Sequence, residues 1–348
     1  MSIDVERVKT LYGNGRSWHV GNLVRWQEAY YICCVDGTGH GSEDSQIRVG
    51  RSDDLENWTW QIAIGPKTID PNLLPVGDRL LLFGVRELDA ESMAGDSGFR
   101  SHQMVATTND GEVWGPGQRC FLMNRDFWHP IAHGGRYWAT CDTSGHVSRG
   151  VHNAVDLLVS DDGESWAWVS EIVHGSDGPE YRDVNGVEFG SPGPSEAALH
   201  FLDDGRLLAI TRARGYCALM STAEPPYIAW THRLSEESRC YGAAVAQVGE
   251  RVLVTGRSFA NEGVRATDGL FNEPVSEHDD SGLRTGLFLY EEDDIRLQAV
   301  LPSGGDTGYA GILPLNDERA LVAYYSTHEY APGPERGSNV YLAVVKLG

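Results

Sequence analysis

Ionisable and hydroxylated residues recur in this sequence at the ends of short apolar runs. His19, Asp70, His129, Glu196, Tyr241 and Tyr309 open such runs. Asp36, Arg86, Asp142, Arg212, Arg257 and Tyr325 end the runs that follow, with His40 and His328 just beyond. The chemistry open to this set is proton transfer and anion binding. A guanidinium fork matches a carboxylate through two parallel hydrogen bonds, better than an ammonium does; Arg284 competes with Arg257 for one such position. A phenol of pKa about 10 is a weak nucleophile. It becomes a useful one when a carboxylate takes its proton and nearby cations stabilise the phenolate. The six cysteines form no CxxC pair and no Cys/His finger spacing, so neither a metal nor another cofactor is expected.

Residues so far apart need a scaffold that gathers strand ends, and the repeats indicate which. Ser52-Asp-Asp-Leu-Glu-Asn-Trp58, Thr108-Asn-Asp-Gly-Glu-Val-Trp114 and Ser160-Asp-Asp-Gly-Glu-Ser-Trp166 share one pattern, at intervals of 56 and 52 residues. In such a turn the carboxylate accepts turn amides and the indole caps the sheet. A second series, a polar turn leading into an apolar strand, recurs six times, at Ala29, Arg79, Arg136, Arg206, Arg251 and Arg319. Its mean spacing is 58 residues, and a sixth of 348 residues is also 58. Helical periodicity is absent, and strands of four to eight residues alternate with Gly, Pro, Asp and Ser turns. The pattern predicts an all-β chain, a single six-bladed β-propeller domain over 1–348 with about four antiparallel strands per blade. Val5 to Leu11 is expected to add the outermost strand to the blade that ends with Val340 to Leu347. Each inner strand then begins, and each second strand ends, at one mouth of the central funnel. A funnel that were merely a packed axis would be lined by small or apolar groups, because unpaired buried charge is costly.

Composition narrows the partners. With 50 acidic and 28 basic residues the formal net charge is −22, and no basic run occurs, which argues against nucleic acid. The longest apolar runs fall far short of the ~20 residues that cross a bilayer, so no membrane partner is expected. Scattered cysteines, with Cys33 and Cys34 pointing to opposite faces of one strand, and the lack of a secretion signal after Met1 favour a cytoplasmic location.

The Ser/Thr-x-Asp-x-x-x-Trp turns resemble the Asp-boxes of the sialidase-like propeller superfamily. Ser195-Glu196 through Thr211-Arg212 resembles the sialidase segment in which a Glu opens an inner strand and an Arg ends the next. Gly305-Asp-Thr-Gly-Tyr309, with Tyr324-Tyr325-Ser326 after its hairpin, resembles the segment that carries the nucleophilic Tyr. The resemblance implies that Glu196 assists Tyr309 and that Arg212 binds a substrate carboxylate. It also places an acid/base near Asp44, with Asp36 and Asp70 as competitors. Where sialidases open the first inner strand with Arg-Ile-Pro, this sequence reads Arg16-Ser-Trp18-His19, without an arginine at the strand start. That departure points to a relative handling another sugar.

The expectation is an exo-acting glycoside hydrolase on an anionic or polyhydroxylated sugar. Its catalytic residues would be Tyr309, Glu196 and Asp44. Arg86, Arg212, Arg257, His19, Asp36, Asp70, His129, Tyr241, Tyr325 and His328 would hold the saccharide. One alternative is a lyase in which an arginine neutralises a uronate and a His or Tyr removes the C5 proton; another is a propeller that binds sugar or protein without catalysis.

Overall fold

The computed structural model describes residues 2–39, 42–87, 101–123, 125–142, 154–174, 181–182, 188–189, 194–213, 217–235, 239–259, 283–330 and 337–348. Strand β1 (Ile3–Tyr12) is set aside by the chain for later use. Blade 1 is β2 (Ser17–Trp26), β3 (Ala29–Asp36), β4 (Gln46–Ser52) and β5 (Thr59–Ile64). Blade 2 is β6 (Thr68–Val76), β7 (Arg79–Glu87), β8 (Ser101–Thr108) and β9 (Gln118–Met123). Blade 3 is β10 (Asp126–His133), β11 (Arg136–Asp142), β12 (Ala154–Ser160) and β13 (Trp166–His174). A two-stranded ribbon, β14 (Tyr181–Arg182) with β15 (Glu188–Phe189), precedes blade 4, which is β16 (Pro194–Phe201), β17 (Leu207–Ala213), β18 (Leu219–Ala223) and β19 (Thr231–Leu234). Blade 5 is β20 (Tyr241–Val248), β21 (Arg251–Phe259), β22 (Leu283–Glu291) and β23 (Asp294–Val300). Blade 6 is β24 (Thr307–Pro314), β25 (Arg319–Ser326), β26 (Asn339–Leu347) and, on its outer edge, β1. The inner strands β2, β6, β10, β16, β20 and β24 meet in that order around a ring, and β24 meets β2. The molecule is a six-bladed β-propeller.

Every strand pair within a blade is antiparallel, and β1 pairs with β26 from Ile3 opposite Leu347 to Tyr12 opposite Val340. The two ends of the chain thus share one sheet. Because each blade is covered on both faces, its second strand reads apolar on both faces: in Ala29-Tyr-Tyr-Ile-Cys-Cys-Val-Asp36 only Tyr30 escapes full burial. Cys33 packs with blade 2 residues such as Leu73 and Leu80, whereas Cys34 packs with Leu321 and Leu342 of blade 6. Adjacent side chains on one strand therefore belong to different cores.

The three repeated turns join the third and fourth strands of blades 1 to 3, on the outer side of each sheet. Ser52 Oγ accepts the Leu55 N–H at 2.9 Å, and Asp54 Oδ1 accepts the amides of Glu56 and Asn57 at 2.9 and 2.8 Å. Thr108 with Asp110 and Ser160 with Asp162 repeat this arrangement. The carboxylate does satisfy turn amides, and the indole N–H groups of Trp58 and Trp166 bond back to the carbonyls of Leu55 and Gly163. These residues build corners and lie away from the axis.

Candidate active site

The funnel is furnished by one backbone irregularity repeated six times. In blades 2 to 6 the inner strand carries one extra residue against its partner: Ile69 pairs with Val85, for example, but the next pair is Asn72 with Phe83. Blade 1 has two such shifts, the first between Trp18 and Val20. A bulge of this kind breaks the alternation of a strand and re-aims a side chain. The residue that opens each bulge has a left-handed backbone: His19 (φ 36°), Asp70 (52°), His129 (40°), Glu196 (53°), Gly242 (58°) and Tyr309 (42°). Five of the six are not glycine, at a cost of about 1–2 kcal/mol each, and strain of this sort persists where surrounding structure over-determines it. Cross-blade hydrogen bonds do that here. Asn22 of blade 1 clasps Leu73 of blade 2 through both its N–H and its carbonyl, with Asn22 Nδ2 to the Leu73 carbonyl and the Leu73 N–H to Asn22 Oδ1 each at 2.6 Å. Asn72 of blade 2 takes the His129 N–H of blade 3 at 3.1 Å, and Asp142 of blade 3 takes the Glu196 N–H of blade 4 at 2.7 Å.

The five side chains so aimed converge. Tyr309 Oη donates to Glu196 Oε1 at 2.8 Å, and Arg212 Nη1 lies 2.6 Å from the same oxygen and 3.3 Å from Tyr309 Oη. This contact spans blades 6 and 4. It is possible because the intervening blade presents Gly242, where a β-carbon would sit 3.1–3.3 Å from the Tyr309 ring. The His19 ring lies 4.5 Å from that of Tyr309, and its Nδ1 is 3.1 Å from Asp70 Oδ1. Trp128 and Tyr325 complete the enclosure, their rings 5.8 and 6.1 Å from Tyr309. Arg257 bonds to the Thr307 carbonyl at 2.6 Å, to Asp306 Oδ1 at 2.7 Å and to Tyr325 Oη at 2.9 Å, and its guanidinium carbon is 5.6 Å from the Tyr309 ring centre.

These neighbours set the protonation states. Burial works to raise the Glu196 carboxyl, but Arg212, the Tyr309 hydroxyl and Arg257 together hold it below its ordinary value. Burial and then the Glu196 charge push the Tyr309 phenol well up, against the pull of Arg212 and Arg257. At rest the pair is thus a carboxylate accepting from a neutral phenol. Burial lowers His129 to about 4, offset in part by Glu196, and lowers His232, in blade 4, to about 4 as well. Both folded-state values lie below the ordinary 6.5, so the unfolded chain binds protons that the folded chain refuses. Stability is therefore expected to fall as pH drops from about 6.5 towards 4, by about 1.4 kcal/mol per pH unit for each histidine. Denaturant unfolding at pH 7, 6 and 5 checks this, and His232→Gln should flatten the slope by about one proton.

Several residues expected at the mouth lie elsewhere. Tyr241 is one position early: Gly242 opens the bulge in blade 5, while half-buried Tyr241 sits under the Arg212 guanidinium, 5.1 Å from ring centre to carbon. Arg86 is also out of step. The register partner of Arg212, Arg257 and Tyr325 in blade 2 is Val85, so Arg86 turns to the opposite face and donates to the Gly65 carbonyl of blade 1 at 2.9 Å. Asp36 faces the preceding blade for the same reason. It is buried under Arg16, at 3.0 Å, and Arg48, and accepts from Tyr12 at 3.3 Å. Asp44 is exposed and fully engaged by Ser42, by the amide and hydroxyl of Thr38, and by Arg16 at 2.8 Å. Those bonds, the Ser42 hydroxyl first, hold its carboxyl far below the usual range, which does not suit a proton donor. His328 bonds to Ser326 Oγ at 2.9 Å and packs on Tyr341, within its own blade. Arg284 donates to the Leu283 carbonyl at 2.6 Å. His40 lies outside the described residues.

Sequence reasoning overlooked Asp306, Trp128 and Gly242. A signal existed for each: Asp306 stands three residues before Tyr309, and Trp128 and Gly242 directly adjoin His129 and Tyr241.

No protein-family model matches the chain, and neither does any curated protein. Solved structures do. A Dyadobacter fermentans protein of unknown function superposes over the whole of both chains with a TM-score of 0.71 at 15% identity. Trypanosoma rangeli sialidase in complex with sialic acid gives 0.66 at 12% identity, over 98% of this chain and 58% of the sialidase. The endosialidase of phage phi92 gives 0.66 at 9% identity, over 98% of this chain and 69% of that one. This chain thus spans little more than half of the trypanosomal enzyme, and at these identities the likeness is one of fold. The chain has the six-bladed propeller fold of the sialidases.

Proposed function

We propose that the protein is a glycoside hydrolase that removes a terminal sugar through a tyrosine nucleophile. The observation that carries this reading is the buried triad of Tyr309, Glu196 and Arg212, with the phenol donating to Glu196 at 2.8 Å and Arg212 beside both. A phenol held neutral by burial attacks only if its proton leaves as the bond forms. Glu196 Oε1 takes that proton, and Arg212 Nη1 stabilises the phenolate oxygen. Tyrosine nucleophiles are a known departure from the two-carboxylate scheme of glycosidases.

Tyr309 Oη attacks the anomeric carbon as the glycosidic bond breaks, and the departing oxygen needs a proton. The buried His19–Asp70 pair, in contact at 3.1 Å and holding one proton between them, supplies it in place of Asp44. In the second step the His19–Asp70 pair takes a proton from water, which displaces Tyr309 from the anomeric carbon while Glu196 returns the phenolic proton. Two displacements leave the anomeric configuration unchanged. The test is to trap the intermediate with a fluorinated glycoside that slows the second step. Mass spectrometry is expected to find the sugar on the peptide containing Tyr309, and proton NMR a product of retained configuration. Turnover with an inverted product and an unlabelled Tyr309 would reject the assignment.

A further inference from the structure

The charge balance of the funnel bears on which sugar enters it. Arg212 already neutralises Glu196, and Arg257 already neutralises Asp306, which also accepts from Tyr325 Oη at 2.6 Å. The His19–Asp70 pair, which holds the proton that the proposed mechanism uses, adds no net charge, and Asp142 adds a third carboxylate behind the Glu196 amide. Against these three stand Arg212, Arg257 and, beside Tyr241, Arg239. At the bulge of blade 1, where a further arginine would enlarge the clamp, stands His19. Among the described residues the funnel holds no surplus of positive charge. A sugar carboxylate entering it must displace Glu196 or Asp306 from its arginine, or remain an uncompensated charge in a poorly solvated place.

Two buried atoms point the same way. Glu196 Oε2 and Trp128 Nε1 have no hydrogen-bond partner among the described residues, and both residues are about 95% buried. One is an acceptor that needs a donor; the other is a donor that needs an acceptor. A hydroxyl group can meet either need, whereas a carboxylate has nothing to donate to Glu196. The rings of Trp128, Tyr309 and Tyr325 offer apolar faces to the carbon skeleton of a pyranose.

We infer that the funnel selects an uncharged, polyhydroxylated terminal sugar and rejects sugars bearing a carboxylate. This rests on the reading that the funnel binds a sugar, and it narrows that reading. It also sets the site apart from a uronate lyase, whose chemistry requires an arginine free to neutralise the substrate carboxylate.

The experiment is calorimetric and NMR saturation-transfer binding at pH 7. The probes are methyl glycosides of neutral hexoses and deoxyhexoses, compared with those of N-acetylneuraminic and glucuronic acids. The wild-type protein is expected to bind at least one neutral glycoside tenfold or more tightly than either acid. Asp306→Asn keeps an acceptor oxygen for Arg257 and Tyr325 but removes the charge, and should narrow that ratio about tenfold or more. Acid glycosides bound as tightly as neutral ones by the wild type, no neutral glycoside bound at all, or a folded Asp306→Asn with an unchanged ratio would each overturn the inference. The wild-type comparison decides the matter even where the variant fails to fold. Neutral sugar bound but never cleaved removes the hydrolase assignment and leaves the selectivity standing; cleavage of a sialoside does the reverse.

Discussion

Tyr309→Phe is expected to lower turnover by about a thousandfold or more, because phenylalanine keeps the ring packed beside His19 and Trp128 but leaves no oxygen to form the glycosyl bond. Glu196→Gln keeps an acceptor for the phenol and should cost about 10²–10⁴ through loss of the base. Because the two residues serve one proton transfer, the double variant should be little worse than the poorer single one. Tyr309→Phe empties no cavity and loses a hydrogen bond worth about 1–2 kcal/mol, so its thermal unfolding should shift by only a few degrees, whereas Glu196→Gln leaves the buried Arg212 without its counter-charge and should cost about 3–5 kcal/mol. The acid limb of the rate profile should titrate below the ordinary glutamate value, since Glu196 is held down by Arg212, Tyr309 and Arg257 against its burial. Steady-state kinetics on an accepted glycoside checks all of this. Turnover within tenfold of wild type in Tyr309→Phe would exclude the phenol as nucleophile.

The largest stability effects are expected not in the apolar cores but at two glycines two residues beyond the ring positions. A β-carbon on Gly21 would lie 2.0 Å from the Pro71 carbonyl oxygen and 2.5 Å from Cys33 Sγ; one on Gly311 would lie 2.5 Å from the Leu23 nitrogen. In both cases the obstacle includes backbone of the next blade. A flexible side chain can swing aside, but a blade in a closed ring moves only by parting from its other neighbour. Gly21→Ala and Gly311→Ala should therefore exceed ordinary overpacking, at about 3 kcal/mol or more. Gly39→Ala is the control, with nothing within 4 Å of its β-carbon. Chemical denaturation of the three variants tests this. Equal midpoints would show that neighbouring inner strands have slack. Gly311→Ala should also depress turnover, since the same strand carries Tyr309.

The architecture was legible because blade period and hairpin chemistry are written in local residues. The six predicted hairpin positions fall at the starts of second strands, five at the first residue and Arg206 one residue before β17. The closing role of the N-terminal segment was legible too, from apolar runs at both ends of the chain. The site was legible only to within a residue. Glu196, Tyr309, His19, Asp70 and His129 each open a bulge, but the bulge itself leaves no mark in hydrophobic alternation. A slip of one residue transfers a side chain to the opposite face, which is why Tyr241 stood in for Gly242 and Arg86 for Val85. Asp44 failed for a different reason: position in sequence does not reveal that three hydroxyl and amide donors and an arginine already claim a carboxylate.

The six left-handed positions have a consequence for how such a molecule changes over generations. Five of them deliver a side chain to the axis, and Gly242 leaves room there, from a backbone whose pairing partners lie on either side, so the delivered group is nearly independent of the sheet that holds it. Exchanging residues at these sockets re-equips the centre while the surrounding ladders stay in register. A new catalytic repertoire then needs a handful of substitutions, and the molecule's frame can persist long after overall resemblance between its descendants has faded.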